Sequence, residues 1–307
     1  MTEQTDQKQH RPKIGVILGA GGLKSAAGIE LIKFMREENI PVDLVVGSGM
    51  GSAVAGLWGM GYSIAKMKES FKRDWTKEIF KKLNYRSILS MFKLPFGRFE
   101  YSQGIMKADA IDAVLSRHCG QIRLEDLAHE TVLMATDLFS GAPVRLEKGL
   151  LSEAVKASTS SFPMLPACNI DDQWLIHGAY SSPLPILEAL KKQMDIVIVC
   201  SVEEKSQYNS RSFLHYLFRT QRYIQHATQK NQMALTMAMY DNEVVFVNSI
   251  FDDSKNINSA NMLPNIYETG RKAVEHARSE IFEAISNFNK IQSEKDAIKK
   301  QLSESLN

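Results

Sequence analysis

The feature that most constrains this fold is a pattern met twice in the first sixty residues: an apolar run, a glycine cluster, then a helix-spaced segment. Ile14-Gly-Val-Ile-Leu18 is a compact apolar run that ends in glycines and reads as a buried strand. Ala26 to Glu38 follows with helical spacing at Ile29, Ile32, Lys33 and Met35. Asp43-Leu-Val-Val46 is a second strand, followed by a turn and an apolar helix over Met50 to Gly59. Strand–helix–strand–helix in so short a span argues for parallel pairing and an α/β sheet.

Further along, Ser63 is expected to cap a helix running to about Phe80, and Ser102 one ending near Gly120. Leu83 to Tyr101 between them is basic and aromatic (Phe92, Phe96, Phe99) and reads as a loop or flap, which offers a possible membrane contact. Thr131–Ala135 and Pro143–Leu146 flank a Ser140-Gly141 turn as a hairpin. Trp174–Ile176 and Asp195–Cys200 are strands, separated by a helix near Ile186 to Lys192. Arg211 to Met239 reads as helix, Glu243 to Asn248 as extended, and Asn265 to about Lys290 as helix. The apolar stripe Met233, Met237, Met239 and Tyr240 reads as core rather than lipid groove. No repeat or linker divides the chain. The expected organisation is a flexible tail over 1–12, a core over 13–205, a helical C-terminal part of the same domain over 206–290, and a charged tail over 291–307.

Composition excludes several classes. At 307 residues, with 44% apolar and 23% charged side chains, the chain is an ordinary globular protein. A net charge of +2 is too weak to argue for nucleic acid or an anionic membrane as a partner. Cys119, Cys168 and Cys200 are widely spaced and read as buried reduced thiols, which suits the cytoplasm. The remaining histidines show no ligand spacing, so no metal or other cofactor is expected. Leu44 to Ala65 carries no charge and is long enough to suggest a membrane span. Its six glycines and opening strand favour buried core.

Three segments carry chemistry. Gly19-Ala-Gly21-Gly22-Leu23-Lys24-Ser25 follows a strand and precedes a helix, so its backbone N–H groups can line a concavity suited to a phosphate or an oxyanion. The dinucleotide order G-x-G-x-x-G fails there. Gly47-Ser48-Gly49-Met50-Gly51-Ser52 has the glycine frame of a nucleophile elbow, G-x-S-x-G, with Gly49 where the hydroxyl would stand. Leu175-Ile-His177-Gly-Ala179 ends a strand.

In that order the segments resemble the patatin-like phospholipase family. Its glycine-rich oxyanion loop corresponds to Gly21, Gly22, Leu23 and Lys24. Its elbow corresponds to Gly47–Gly51, and its D-G-[GA] triplet to His177-Gly178-Ala179. Ala135-Thr-Asp-Leu138 with Gly141-x-Pro-Val144, and Ala157-Ser-x-Ser-x-Phe-Pro163, match flanking segments, and the likeness covers roughly Lys13 to Val202. The resemblance implies a mostly parallel central sheet with helices on both faces, in three α/β/α layers. It also implies a serine–aspartate dyad that hydrolyses acyl esters. Here both dyad positions differ, Gly49 for serine and His177 for aspartate, and the loop carries Ala20 and Ser25 where the family prefers glycine. Without the hydroxyl there is no covalent route. The expectation is a catalytically silent protein that binds a lipid, an acyl ligand or a protein whose identity is open. The alternative is a lipid acyl hydrolase using His177 and water, or a displaced Ser48 or Ser52. Ser48 is expected to point away from the vacant position, Ser52 to cap its helix, and Lys24 either to bind an anionic head group or to be solvated.

Overall fold

The structure, a computed structural model, describes residues 11–75, 82–90, 99–205, 213–239, 243–252 and 260–305. Most of the tail expected over 1–12, together with Phe92, Phe96, Arg211 and Tyr240, lies outside them. The elements in chain order begin with β1 (Ile14–Leu18), a 3-10 turn (Gly22–Ala27), α1 (Gly28–Glu37), β2 (Leu44–Ser48), α2 (Met50–Gly59) and α3 (Ile64–Asp74). There follow α4 (Tyr85–Ser90), α5 (Asp109–Cys119), β3 (Glu130–Asp137), β4 (Pro143–Leu146), α6 (Leu151–Thr159), β5 (Cys168–Ile170) and β6 (Gln173–His177). The chain continues through α7 (Ile186–Lys191), β7 (Ile196–Lys205), α8 (Phe213–Met239), β8 (Glu243–Asp252) and α9 (Leu263–Ser305).

The strands form one mixed sheet, ordered β5-β6-β3-β2-β1-β7-β8 with β4 also on β3. β3, β2, β1, β7 and β8 run parallel, and the pairings of β4 and β6 with β3 and of β5 with β6 are antiparallel. Alternate residues of the central strands feed two cores. Val16, Val45, Leu133 and Ile198 pack with α1, α2 and α9 on one face; Ile17, Val46, Val132 and Val199 pack with α7 and Met233 of α8 on the other. The α/β/α layering follows from strands that are apolar on both sides.

The register explains how the two ends of the site meet. β2 pairs with β3 only as far as Ser48↔Met134, and β6 begins at the next residue, Ala135↔His177. Ala135 also pairs with Val144 of β4, so His177 must lie on the β2 edge. β6 therefore continues where β2 stops, with His177 just beyond Ser48.

Several expectations change. Ser63 caps α3, accepting the Lys66 N–H at 3.2 Å, but α3 ends at Asp74. The helix expected from Ser102 starts only at Asp109. The Ile105 and Met106 N–H groups donate instead to the Pro163 and Met164 carbonyls, at 3.0 and 2.7 Å, holding that stretch extended. The expected flap contains α4, while the charged tail over 291–307, which reads as a frayed helix, is the end of α9 as far as Ser305. The methionine stripe is not core: Met237 and Met239 are exposed, and only Met233 packs inward. Leu44 to Ala65 folds as β2 and α2, which are buried within the sheet layers. Among the described residues, no helix is long and apolar enough to cross a membrane. All three cysteines are buried and unpaired, and burial pushes their thiols up, to about 11 for Cys119 and Cys168 and about 12 for Cys200.

Candidate functional site

The site forms at the C-terminal ends of β1 and β2, where a parallel sheet leaves its loops free to converge. After β2 the chain reverses at Gly49, whose φ of 55° and ψ of −131° lie where only glycine is at ease. α2 starts at the next residue. Gly51 permits its close approach, since a Cβ there would stand 2.1 Å from the Leu18 carbonyl oxygen. The Gly49 N–H donates to Ser158 Oγ at 3.1 Å, and Ser158 Oγ lies 2.6 Å from Ser52 Oγ. Ser52 is thus held by Ser158 rather than capping α2, and Ser158 on α6 is the supporting residue that sequence reasoning missed. Its position in the segment after Ala157 was a signal of that role. Ser48 is fully buried, with its Oγ unpartnered among the described residues and turned toward Gly178. It points away from residue 49, as strand alternation requires.

His177 faces the turn. A Cβ built on Gly49 would stand 2.7 Å from His177 Cε1, 3.0 Å from Nε2 and 3.1 Å from Ala20 Cβ. Residue 49 thus lies against both His177 and Ala20 of the glycine loop, and the imidazole fills the space a side chain at 49 would need. The His177 backbone is tied on both sides: its N–H donates to Ser160 O at 2.8 Å, and its carbonyl accepts from Thr136 Oγ1 at 2.9 Å. Its Nδ1 accepts the Ala179 N–H at 3.0 Å. An Nδ1 that accepts cannot carry the proton of a neutral ring, so the proton sits on Nε2. Burial pushes the imidazole pKa down to about 4, which keeps the ring neutral near pH 7. His177 thus offers a donor to the site.

The glycine loop is closed from behind. The Gly19 N–H donates to Cys200 O and the Ala20 N–H to Pro183 O, both at 3.0 Å, and Ser25 Oγ donates to Gly19 O at 3.1 Å. The N–H groups of Gly21, Gly22 and Leu23 have no acceptor among the described residues. Lys24 is neither solvated nor aimed at a ligand: it is 1% exposed, and its Nζ lies 2.8 Å from Glu204 Oε1 on β7. Arg222 of α8 takes the other carboxylate oxygen, Oε2.

Elsewhere Ser70, His118 and Asp74 form a cluster that resembles a catalytic triad in composition only. Ser70 Oγ and Asp74 Oδ2 both contact the same ring nitrogen, Nε2, at 3.1 and 2.8 Å, so no proton can pass through the ring from one to the other. A cleft of about 470 Å³ lined by residues including Asn39, Val42, Trp58 and His129 lies at the opposite end of the sheet from Gly49.

A glycine loop after the first strand and a sharp strand–turn–helix after the second define a glycine-framed α/β site at one end of the sheet. A family model for patatin-like phospholipases matches residues 16–190, more than half of the sequence, and the chain belongs to that family. An uncharacterized NTE family protein of Mycobacterium tuberculosis is 27% identical over 191 residues, covering 62% of this chain and 49% of that protein. The lysophospholipase NTE1 of Debaryomyces hansenii is 25% identical over 205 residues, covering 64% of this chain and 12% of its own. The chain thus spans about half the length of the mycobacterial relative and far less of the fungal one. VipD from Legionella pneumophila superimposes with a TM-score of 0.49 at 10% identity, covering 87% of this chain and 67% of that one.

Proposed function

We propose that this chain is a non-hydrolysing member of its family that holds a lipid by its acyl carbonyl or carboxylate oxygen. The observation that carries the reading is the pairing of Gly49 with His177. The turn lacks a hydroxyl, and the ring opposite has Nδ1 occupied and a proton on Nε2. A dyad base must accept a proton from the nucleophile. A neutral imidazole with that hydrogen-bond pattern donates instead. Together with the N–H groups of Gly21, Gly22 and Leu23, which meet no acceptor among the described residues, it supports reading a donor-only site suited to an acceptor oxygen and not to its attack. The lipid class is supported by the family and by the naming of one relative as a lysophospholipase.

Native mass spectrometry of the purified protein is expected to show a co-bound lipid, and the unmodified chain to leave p-nitrophenyl butyrate uncleaved. The double variant Gly49→Ser/His177→Asp should raise ester turnover at least about tenfold over background and take a fluorophosphonate label at residue 49. The second change is needed because the ring blocks a side chain at 49. Turnover by the unmodified chain that is lost in His177→Ala, or a fluorophosphonate label on Ser48 or Ser52, would overturn the non-hydrolysing reading. The absence of both bound lipid and gained activity would overturn the lipid reading.

A further inference from the structure

The helix α8 presents an outer face that the fold leaves uncovered. Its inner face is fastened. Gln232 Nε2 donates to Ser181 O at 3.1 Å, its Oε1 accepts the Leu184 N–H at 3.2 Å, and Gln229 and Thr236 are buried. Outward stand Tyr216, Tyr223, Ile224, Leu235, Met237 and Met239, each between 47% and 64% exposed. They form two groups, Tyr216–Ile224 and Leu235–Met239, joined along the helix by the exposed Ala227 and Ala234, and so many large apolar side chains on one helix mark a binding surface.

Charge identifies the partner. Between Lys205 and Asp241 the sequence contains no Asp or Glu, where the chain's average density would give about four. The charged residues within α8 are Arg219, Arg222 and Lys230; Lys230 is exposed, and the Arg219 guanidinium lies 5.5 Å from the Tyr223 ring centre. The solvent side of α9, by contrast, mixes Glu268, Arg271, Lys272, Glu275 and Arg278. A second copy of the chain would add no acid from its own α8 to meet the exposed Lys230, which disfavours a symmetric dimer through this face. Arg222 is engaged by Glu204, which leaves the exposed Lys230 as the charge beside these apolar side chains, and a helix apolar in this way and free of acid fits a surface that is apolar within and negative at its boundary.

We infer that α8 is an interfacial membrane-docking helix that lies flat on bilayers containing anionic lipid. This surface is distinct from the lipid-holding site proposed above and does not depend on it. Ser181 and Leu184, which hold α8, flank Pro183, whose carbonyl anchors the glycine loop, so docking would bring the bilayer close behind that loop.

The test is sedimentation of the full chain with vesicles of phosphatidylcholine alone or of phosphatidylcholine and phosphatidylserine in equal parts. Binding to the mixed vesicles is expected, weakening with added salt. Lys230→Glu should weaken it about tenfold or more, and the double change Ile224→Glu/Leu235→Glu at least as much. These side chains are exposed, so unchanged thermal melting of the variants would confirm that folding is intact. Equal, salt-insensitive binding to both vesicle types, or no binding to either, would overturn the proposal. So would a dimer in sedimentation velocity that the Ile224/Leu235 change dissolves.

Discussion

At Gly49 the backbone conformation and the lack of space act together. The turn's positive φ costs any other residue about 1–3 kcal/mol, and the imidazole leaves no room for a Cβ. Glycine at 49 and histidine at 177 are thus mutually consistent, each removing a reason for the other to be the residue a dyad needs. The histidine also has a pH consequence. Its folded pKa of about 4 lies below the roughly 6.5 of an unfolded histidine. The unfolded chain therefore binds the proton more readily. The stability conferred by a neutral ring is complete above about pH 6.5 and is lost as pH falls toward 4, by an amount of order 3 kcal/mol. Chemical denaturation near pH 7 and near pH 4.5 should show a smaller acid loss in His177→Gln than in the unmodified chain. Equal losses would show that the ring is not held neutral by burial.

Among the elements, the glycine loop depends on a partner far along the chain. Lys24 is buried and met by Glu204 at the end of β7, which Arg222 of α8 holds from its other side. Removing one partner of a buried pair leaves an uncompensated charge. Glu204→Gln should therefore cost roughly 3 kcal/mol, the low end for such pairs because Glu204 is 20% exposed. Adding Lys24→Met should recover part of that loss in denaturant titration, and additive losses would mean the two do not interact. This pairing was not legible in the sequence, because nothing local links residue 24 to 204. The strands were legible, since Ile14–Leu18 and Asp195–Cys200 are apolar on both faces and could only be central. The three glycine-bearing segments were legible for a similar reason: each sits directly at a strand end. The start of α5 was misread at Ser102 because a good capping residue says nothing of the extended pairing that occupies Ile105 and Met106. The methionines of α8 were misread because helical spacing shows that a stripe exists but not whether anything covers it.

On the scale of the whole molecule, the family match stops at residue 190, yet the sheet does not. β1 takes its second neighbour from β7, which then pairs with β8 over ten residues, and α9 buries Ile266, Val274 and Ile281 against the same core as α1. A fragment ending at residue 192 would expose one edge of β1 and much of that core. It should be insoluble or lack a cooperative melt by circular dichroism, whereas a cooperative melt would mean the matched region folds alone.

One consequence follows from the seam where β6 takes over the edge of β3 from β2. A strand shifted by a single residue exchanges its faces. Were β6 to slip so, Ile176 would meet Gly49 and the imidazole would turn to the opposite side of the sheet. The chemical character of this pocket, polar or greasy, is therefore decided by one rung of the ladder, Ala135 against His177.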